Sequence, residues 1–571
     1  MIGVVAATAN GRAAAAALEA AWPGEVRSFT GDKASAALRE AWGTCDAIVS
    51  FLAVGATVRV LAPLLGHKTT DPAVVCVDEG LRHAVAVLGG HHGANLLAGR
   101  LAGVLGCEPV VTTASDGAGI TPLDSYGADL GFTVHNPEVL ARVGAAVLSG
   151  EPVTIEGADG WPLPALPSNV VREHPEASAG ILVTDRAEPA NSRRDRLVYR
   201  PPSLVVGVGS ARGVTAAEVG ELIDGTLADA GLAPASVRCL ATVDVKAGEQ
   251  GILDAAEARG WEVVTFPADV LARVEVPNPS EVVRAEVGTP SVAEAAALHA
   301  ARALGRGAEL VAEKRKSAAA TAAVARLRPK GRLGLVGIGP GARDLLTPRA
   351  EAVLRRSSVV VGLDQYVEQV RDLLRPGTRV MASGLGREEE RARAAVEEAE
   401  SGRAVALIGS GDAGVYAMAS PALEFASSGI EVEGVPGITA ALAASALLGA
   451  PLGHDHAAIS LSDLHTPWEV IERRVRAAAE GDFVVCFYNP RSRARDWQLP
   501  AALTILSAHR PPDTPVGLVR DASRPGESVT LTTLAEVDPA MADMVTVVVV
   551  GSSRSRTVAG RFITPRGYRW A

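Results

Sequence analysis

Three glycine-rich turns, each set directly behind a short apolar run, constrain this chain more than any other feature of it. They are Leu335-Val-Gly-Ile-Gly-Pro-Gly-Ala-Arg-Asp-Leu-Leu-Thr347, Gly409-Ser-Gly-Asp-Ala-Gly-Val-Tyr416 behind Ala404-Val-Ala-Leu-Ile408, and Val435-Pro-Gly-Ile-Thr-Ala440. Glycine lets the backbone turn sharply where a strand stops, and in an open α/β sheet the crevice at the carboxyl ends of the strands holds small ligands. Val/Ile/Leu-rich runs alternate with Ala-rich helical stretches along the whole sequence. That alternation predicts an α/β protein of several parallel or mixed sheet modules in series, with helices covering the sheets.

At 571 residues the chain exceeds what one hydrophobic core organises, so several domains are expected. An apolar content of 48% with 21% charged residues is that of a globular protein. No apolar run reaches the roughly 20 residues that cross a bilayer, so no membrane partner is expected. The start, Met1-Ile-Gly-Val-Val-Ala-Ala-Thr8, lacks a basic region and reads as a first strand rather than a signal peptide, which predicts a cytoplasmic protein. Cys45, Cys76, Cys107, Cys239 and Cys486 lie far apart in apolar surroundings, without the paired spacing of disulfide or zinc frameworks. Buried free thiols and no metal site are expected. A net charge of -10 without any long basic block argues against a nucleic-acid partner, since phosphate neutralisation needs clustered Lys and Arg.

Two seams divide the sequence. Around Glu313-Lys-Arg-Lys316 and the Ala-rich run up to Pro329 and Gly331, the pattern predicts a basic helix ending before a fresh strand, with the main boundary near 330. A second seam runs from Thr184 through Asn191-Ser-Arg-Arg-Asp-Arg196 and Arg200-Pro-Pro202 to the new strand at Leu204. The expected domains are 1–120, 121–202, 203–328 and 329–571.

Gly337-Ile-Gly-Pro-Gly-Ala342 satisfies the loose dinucleotide pattern, which alone would suggest an NAD(P)-dependent oxidoreductase. Pro340 removes a backbone donor, however, and Thr347-Pro348 reads as the N-cap and first position of the following helix, so the loop is set back from the helix end that would bind a diphosphate. Asp412 serves either as a carboxylate for a cationic ligand or as a cap on the next helix. Thr439 serves as a cap, a ligand contact, or both.

The succession continues through His454-Asp-His456, Ser460-Leu-Ser-Asp463, Tyr488-Asn-Pro-Arg-Ser-Arg-Ala-Arg495, Arg520 to Arg524 and Val545-Thr-Val-Val-Val-Val550. Together these segments resemble the tetrapyrrole methyltransferases, and the Ser-Leu-Ser-Asp-Leu and Tyr-Asn-Pro-x-Ser-x-x-Arg strings resemble their precorrin-3B C(17) branch, called cobalt-factor III methyltransferase in the anaerobic route. The resemblance implies a two-lobed fold, S-adenosyl-L-methionine as cofactor, a tetrapyrrole (corrin precursor) substrate that carries cobalt or lacks it, and a homodimer through this domain. It places cofactor contacts at Gly339, Pro340, Gly341, Ser410, Gly411, Asp412, Val415, Thr439 and Ala440. Ring contraction needs proton movement, for which His454, Asp455, His456 and Asp463 are the nearest titratable cluster in sequence, His454 and Asp455 foremost. Arg491, Arg493, Arg520 and Arg524 are candidate clamps for the carboxylate arms, because guanidinium pairs bidentately with carboxylate.

Upstream, Gly55, Asp78, Glu79, His91, His92 and Asp116 each follow an apolar strand and are expected at one edge of one sheet. This set, with Val206-Gly-Val-Gly-Ser-Ala-Arg-Gly213, Asp244-Val-Lys-Ala-Gly-Glu249 and Val287-Gly-Thr-Pro-Ser-Val-Ala-Glu294, resembles CbiG-type cobalamin-biosynthesis proteins. That resemblance implies hydrolysis of cobalt-precorrin-5A, in which a lactone opens and acetaldehyde leaves. A His beside a carboxylate fits the general base, so His91 or His92 with Asp78 or Glu79 is the candidate pair. Lys246 and Glu249 either bind substrate or pair with each other. The expectation is a bifunctional corrin-ring enzyme. The alternative is a methyltransferase whose N-terminal half binds the corrinoid without catalysis.

Overall fold

The structure is a computed structural model that describes residues 1–29, 33–66, 70–187 and 195–568, without the side chains of His91 and Asp116. The charged segment 191–194 of the second seam therefore lies outside the described residues. The chain forms two compact units, residues 1–329 with 375–378 and residues 330–374 with 379–571.

The first unit holds three sheets. In the six-stranded sheet, Val26–Phe29, Ile2–Ala6, Ala47–Phe51 and Ala73–Val77 run parallel. The next strand, His83–Leu88, runs antiparallel to Ala73–Val77, and Glu108–Val110 follows its direction. A second sheet centres on Ala179–Val183, whose five residues are all buried. The third has the order Glu262–Phe266, Val237–Val243, Leu204–Ser210, Ala320–Arg328, Gly307–Lys316. Asp185 ties the second sheet region to the third, taking Arg326 Nε at 2.6 Å and Nη2 at 2.9 Å as a bidentate pair.

The expected basic helix before the boundary is a β-hairpin instead, Gly307–Lys316 pairing antiparallel with Ala320–Arg328. Its alanines are small because the strand Ala320–Arg328 is an inner one, hydrogen-bonded on both sides and buried along nearly its whole length. Helix Val292–Leu304 presses on the same sheet so closely that a Cβ at Gly207 would lie 2.9 Å from the carbonyl carbon of Ala293. An alanine run is compatible with helix or with a strand sandwiched this tightly, and packing overrides the propensity.

The second unit has two lobes. The first carries five parallel strands in the order Arg379–Ser383, Val359–Leu363, Ala404–Gly409, Gly331–Gly337, Ile430–Val435. The second carries a mixed sheet, His456–Ser460, Val484–Tyr488, Thr546–Val550, Pro515–Arg520, Ser528–Thr533. Both lobes bury their Val- and Leu-rich faces under helices. Among the described residues no helix is long and apolar enough to cross a membrane.

All five cysteines are free and buried. Burial pushes the Cys239 thiol up to about 11 and the Cys486 thiol up to about 12, far from the thiolate form at neutral pH. The native protein at pH 8 is therefore expected to leave all five thiols unreacted towards a disulfide reagent, and to yield five after denaturation. Rapid reaction of even one in the native state would contradict this packing.

Candidate functional site

Because Ala404–Gly409, Gly331–Gly337 and Ile430–Val435 are adjacent and parallel, their carboxyl ends bring the three glycine turns side by side. Gly339 and Gly411 exchange backbone hydrogen bonds of 3.0 and 2.8 Å, with left-handed φ values of +74° and +67°. Asp412 is neither a helix cap nor a free carboxylate. Its two oxygens accept the Gly414 N–H at 2.8 Å and the Gly437 N–H at 3.0 Å, stapling the second turn to the third. Lone pairs remain on it for a cationic ligand. Thr347 caps the helix Pro348–Arg356 through Ala350 N–H at 3.2 Å, with the turn Arg343–Leu345 between helix and glycine loop. The helix that follows the loop Gly337 to Ala342 therefore does not bring its N-terminus onto it, as the dinucleotide-binding arrangement of the oxidoreductase reading requires.

Thr439 is the N-cap of helix Ala440–Leu448, yet its side chain does not bond to that helix. The phenol oxygen of Tyr488, the last residue of a second-lobe strand, accepts the Ala441 N–H at 3.1 Å and lies 2.7 Å from the Thr439 hydroxyl. Tyr416 ends the second turn at a left-handed φ of +52° and is half exposed. Its phenol donates to the Ala458 carbonyl at 2.8 Å, and its ring lies 5.1 Å from that of Tyr488. Val415 sits between Asp412 and this tyrosine, and Ala440 follows Thr439 at the same helix start. A left-handed non-glycine residue costs of order 1–3 kcal/mol and persists where its surroundings hold it.

The expected arginine clamps divide. Arg524 reaches from the second lobe onto the glycine turns, with Nε donating to the Pro340 carbonyl at 2.6 Å and Nη2 to Ser410 Oγ at 2.5 Å, against Gly341. It bridges the two lobes. Arg520 is half exposed and paired with Asp521 at 2.5 Å and Asp543 at 2.9 Å. Arg493 is exposed, and Arg491 makes a 3.1 Å hydrogen bond to the Ala540 carbonyl.

His454 and Asp455 miss the cleft. They precede the strand His456–Ser460, and Asp455 pairs through its carbonyl with Val484, the start of the strand that ends at Tyr488. They are therefore a strand length, roughly 13–16 Å at about 3.3 Å per residue, from the glycine turns. Their side chains are 46% and 78% exposed.

In the first unit a reversal of strand direction separates the hydrolase pair. Asp78 and Glu79 follow Ala73–Val77 at the edge that also carries Gly55, and Thr8 Oγ1 donates to Glu79 at 2.8 Å. Asp78 accepts the N–H groups of His83 (2.6 Å) and Arg82 (2.8 Å), which hold its carboxyl below the ordinary carboxylate value. The strand His83–Leu88 then runs backwards, Leu88 pairing with Val74, so the turn Gly90–His92 lies at the opposite edge. Among the described residues His92 Nε2 is buried there without a hydrogen-bond partner, while Asn95 and Thr113, beside Gly90, bond to each other at 3.2 Å. The side chain of His91 lies outside the described residues. Lys246 pairs with Glu249 at 3.3 Å, and Glu249 also takes the Gly213 N–H at 2.7 Å.

Residues 332–538 match the profile described as Tetrapyrrole (Corrin/Porphyrin) Methylases. The probable cobalt-factor III C(17)-methyltransferase of Salmonella typhimurium is 47% identical over 239 residues, which are 41% of this chain and 99% of that protein. The chain belongs to the tetrapyrrole methylase family. The cobalt-factor III methyltransferase of Priestia megaterium is 44% identical over 247 residues, which are 42% of this chain and 46% of that protein. The crystal structure of the methyltransferase CobJ is 41% identical over 41% of the methylase chain and 100% of its own, with a TM-score of 0.40. Upstream, the methylase also matches the Cobalamin synthesis G N-terminal profile (36–116), the Cobalamin biosynthesis central region (121–201) and the Cobalamin synthesis G C-terminus (204–325).

Tyr416, Tyr488 and Arg495 stand inside the quoted motifs, but sequence reasoning assigned none of them a role, and the structure places the two tyrosines beside the glycine turns and Arg495 among the second-lobe loops. Tyr488 had a readable signal, a strand-ending aromatic before Asn-Pro. Tyr416 had none, because its contact with Ala458 joins two lobes.

Proposed function

We propose that the protein is a bifunctional corrin-ring enzyme whose residues 330–571 methylate cobalt-factor III at ring carbon 17 with ring contraction, and whose residues 1–329 open the lactone of cobalt-precorrin-5A. The observation that carries the first part is the hydroxyl pair beside the glycine turns. Thr439 and Tyr488 have two O–H hydrogens between them and spend one on each other, while the Tyr488 oxygen already accepts from Ala441. One hydrogen is left for a ligand, next to turns whose main chain is open to close approach. These groups fit the carboxylate, ribose and ammonium of S-adenosylmethionine, the ammonium facing the spare lone pairs of Asp412.

When bound, that cofactor supplies a methyl group on a sulfonium, and the protein's own work is alignment and exclusion of water. The second-lobe loops behind Ser460 and Tyr488 and before Thr546 share one sheet edge with Arg524, which itself touches the turns. Exposed Leu464, Trp497 and Met544 on those loops offer an apolar face, and Arg491 and Arg493 offer cations. An apolar ring with carboxylate arms matches both.

For the hydrolase half, the support is the match to the three cobalamin-synthesis G profiles and the His92 nitrogen, which is buried without a partner among the described residues. The separation of His92 from Asp78 and Glu79 favours the second reading, in which this half only binds the corrinoid. We place the enzyme in the cytoplasm, as a homodimer through its methylase part.

Incubation of the full chain with labelled S-adenosylmethionine and either cobalt-factor III or metal-free precorrin-3B is expected to yield a methylated, ring-contracted mass with the cobalt form preferred. Absence of label from every tetrapyrrole would overturn the methyltransferase reading. Acetaldehyde released from cobalt-precorrin-5A separates hydrolysis from binding alone.

A further inference from the structure

The two strings that set this branch apart, Ser460 to Asp463 and Tyr488 to Arg495, stand more than twenty residues apart in sequence and meet in space around one buried guanidinium. Arg495 Nη1 donates to the Leu461 carbonyl at 3.1 Å and to the Asn489 carbonyl, and Nη2 lies 3.5 Å from Met544 Sδ. Its Nε faces Asp463 at 3.9 Å, and Asp463 is held from the other side by Gln498 Nε2 at 2.8 Å. Asn489, at a left-handed φ of +50°, donates through Nδ2 to Ser460 Oγ at 3.1 Å, and the same hydroxyl accepts the Ser462 N–H at 3.3 Å. Ser492 and Arg495 close the second loop on itself by a backbone bond of 2.8 Å. Polar members of both strings are thus spent on one another, and Arg495 is only 9% exposed.

None of these bonds reaches the glycine turns. Among the exposed residues of the same three loops are the apolar Leu464 (72% exposed), Trp497 (49%) and Met544 (43%) and the cationic Arg493, with Arg491 half-buried and the carboxylates Asp463 and Asp496 also exposed. We infer that Arg495 is a positioning residue for the macrocycle, holding the three loops that present this apolar and cationic surface to a carboxylated tetrapyrrole. The inference rests on the methyltransferase reading above. A planar fork that satisfies three loops at once is a task for arginine, because lysine offers a point charge and no fixed geometry.

The test is steady-state kinetics on the full-length chain carrying Arg495→Lys. Loss of the fork is expected to raise KM for the tetrapyrrole about tenfold, as befits one or two buried hydrogen bonds lost from loop placement. The dissociation constant of S-adenosylmethionine and kcat at saturating tetrapyrrole are expected to change less than about threefold. An unchanged KM, or a parallel rise in the cofactor's dissociation constant, overturns the inference, since a merely unstable lobe lowers the active fraction without moving KM alone. If Arg495→Lys loses hydrogen-exchange protection in the second-lobe sheet, Ser460→Ala decides, because it removes the shared acceptor and keeps the volume. A KM-only rise supports the inference and an unchanged KM overturns it. A wild-type chain that methylates no tetrapyrrole refutes the underlying reading instead, an outcome distinct from an active wild type with a normal variant.

Discussion

Gly437→Ala is expected to lower affinity for S-adenosylmethionine by roughly 10- to 100-fold while leaving the first unit's stability untouched. The added Cβ would lie 2.8 Å from the Gly337 carbonyl carbon and closer still to the Gly411 carbonyl oxygen, both main-chain atoms that no rotamer change moves aside. Overpacking of this kind costs about 1–3 kcal/mol when the backbone must shift, which is the origin of the estimated range. The shift falls on the cofactor cradle itself. Gly437 donates to Asp412, and Gly411 pairs with Gly339, so displacing one turn displaces all three. Calorimetric titration with S-adenosylhomocysteine measures the loss directly. An unchanged affinity would mean that the cofactor does not sit on these turns, and the proposed function would fall with it.

Glu294→Ala is expected to destabilise the first unit by about 3–5 kcal/mol, with the methylase lobes unaffected. Glu294 is fully buried in the first turn of helix Val292–Leu304. One oxygen accepts Asn278 Nδ2 at 2.8 Å and the Lys314 N–H at 3.1 Å, and the other accepts the Asn278 N–H at 3.3 Å and Ser291 Oγ at 3.4 Å. Truncation strands these donors away from water and unties the helix from the hairpin strand Gly307–Lys316. Glu294→Gln, which keeps one acceptor oxygen, is expected to cost less. Hydrogen exchange on the full chain reads the effect in the right place, as lost protection along Leu204–Ser210 and Gly307–Lys316. A loss below about 0.5 kcal/mol would mean that water reaches the carboxylate.

Legibility differed sharply between the two halves. In the second unit the site is local to the strand ends, and each turn carries its own signal in glycine, proline and the apolar run before it. The parallel first-lobe sheet then places all three turns on one edge without further information. In the first unit the pattern of apolar runs was as clear, but the edge assignment failed because His83–Leu88 runs antiparallel after a tight turn at Asp78 to Arg82. A short apolar run reads the same in either direction. His454 and Asp455 were misplaced for another reason: nearness in sequence does not tell that they precede a strand whose far end meets the cleft. The helix expected over 313–328 failed because alanine marks close packing as readily as it marks helix, and here the helix Val292–Leu304 does the packing from outside.

By itself, the sequence determined the Val/Ile/Leu-rich runs that become strands, where glycine forces a turn, and, through resemblance, the family to which those turns belong. These are short-range properties, set by steric freedom at single residues and by apolar periodicity within one element. Only the tertiary structure decided strand direction, the partners of Arg524, Arg520 and Lys246, and the meeting of Tyr416, Tyr488 and Arg495 with distant backbone. Such contacts join residues up to 184 positions apart, and nothing in the local backbone preference of either partner encodes the other's location.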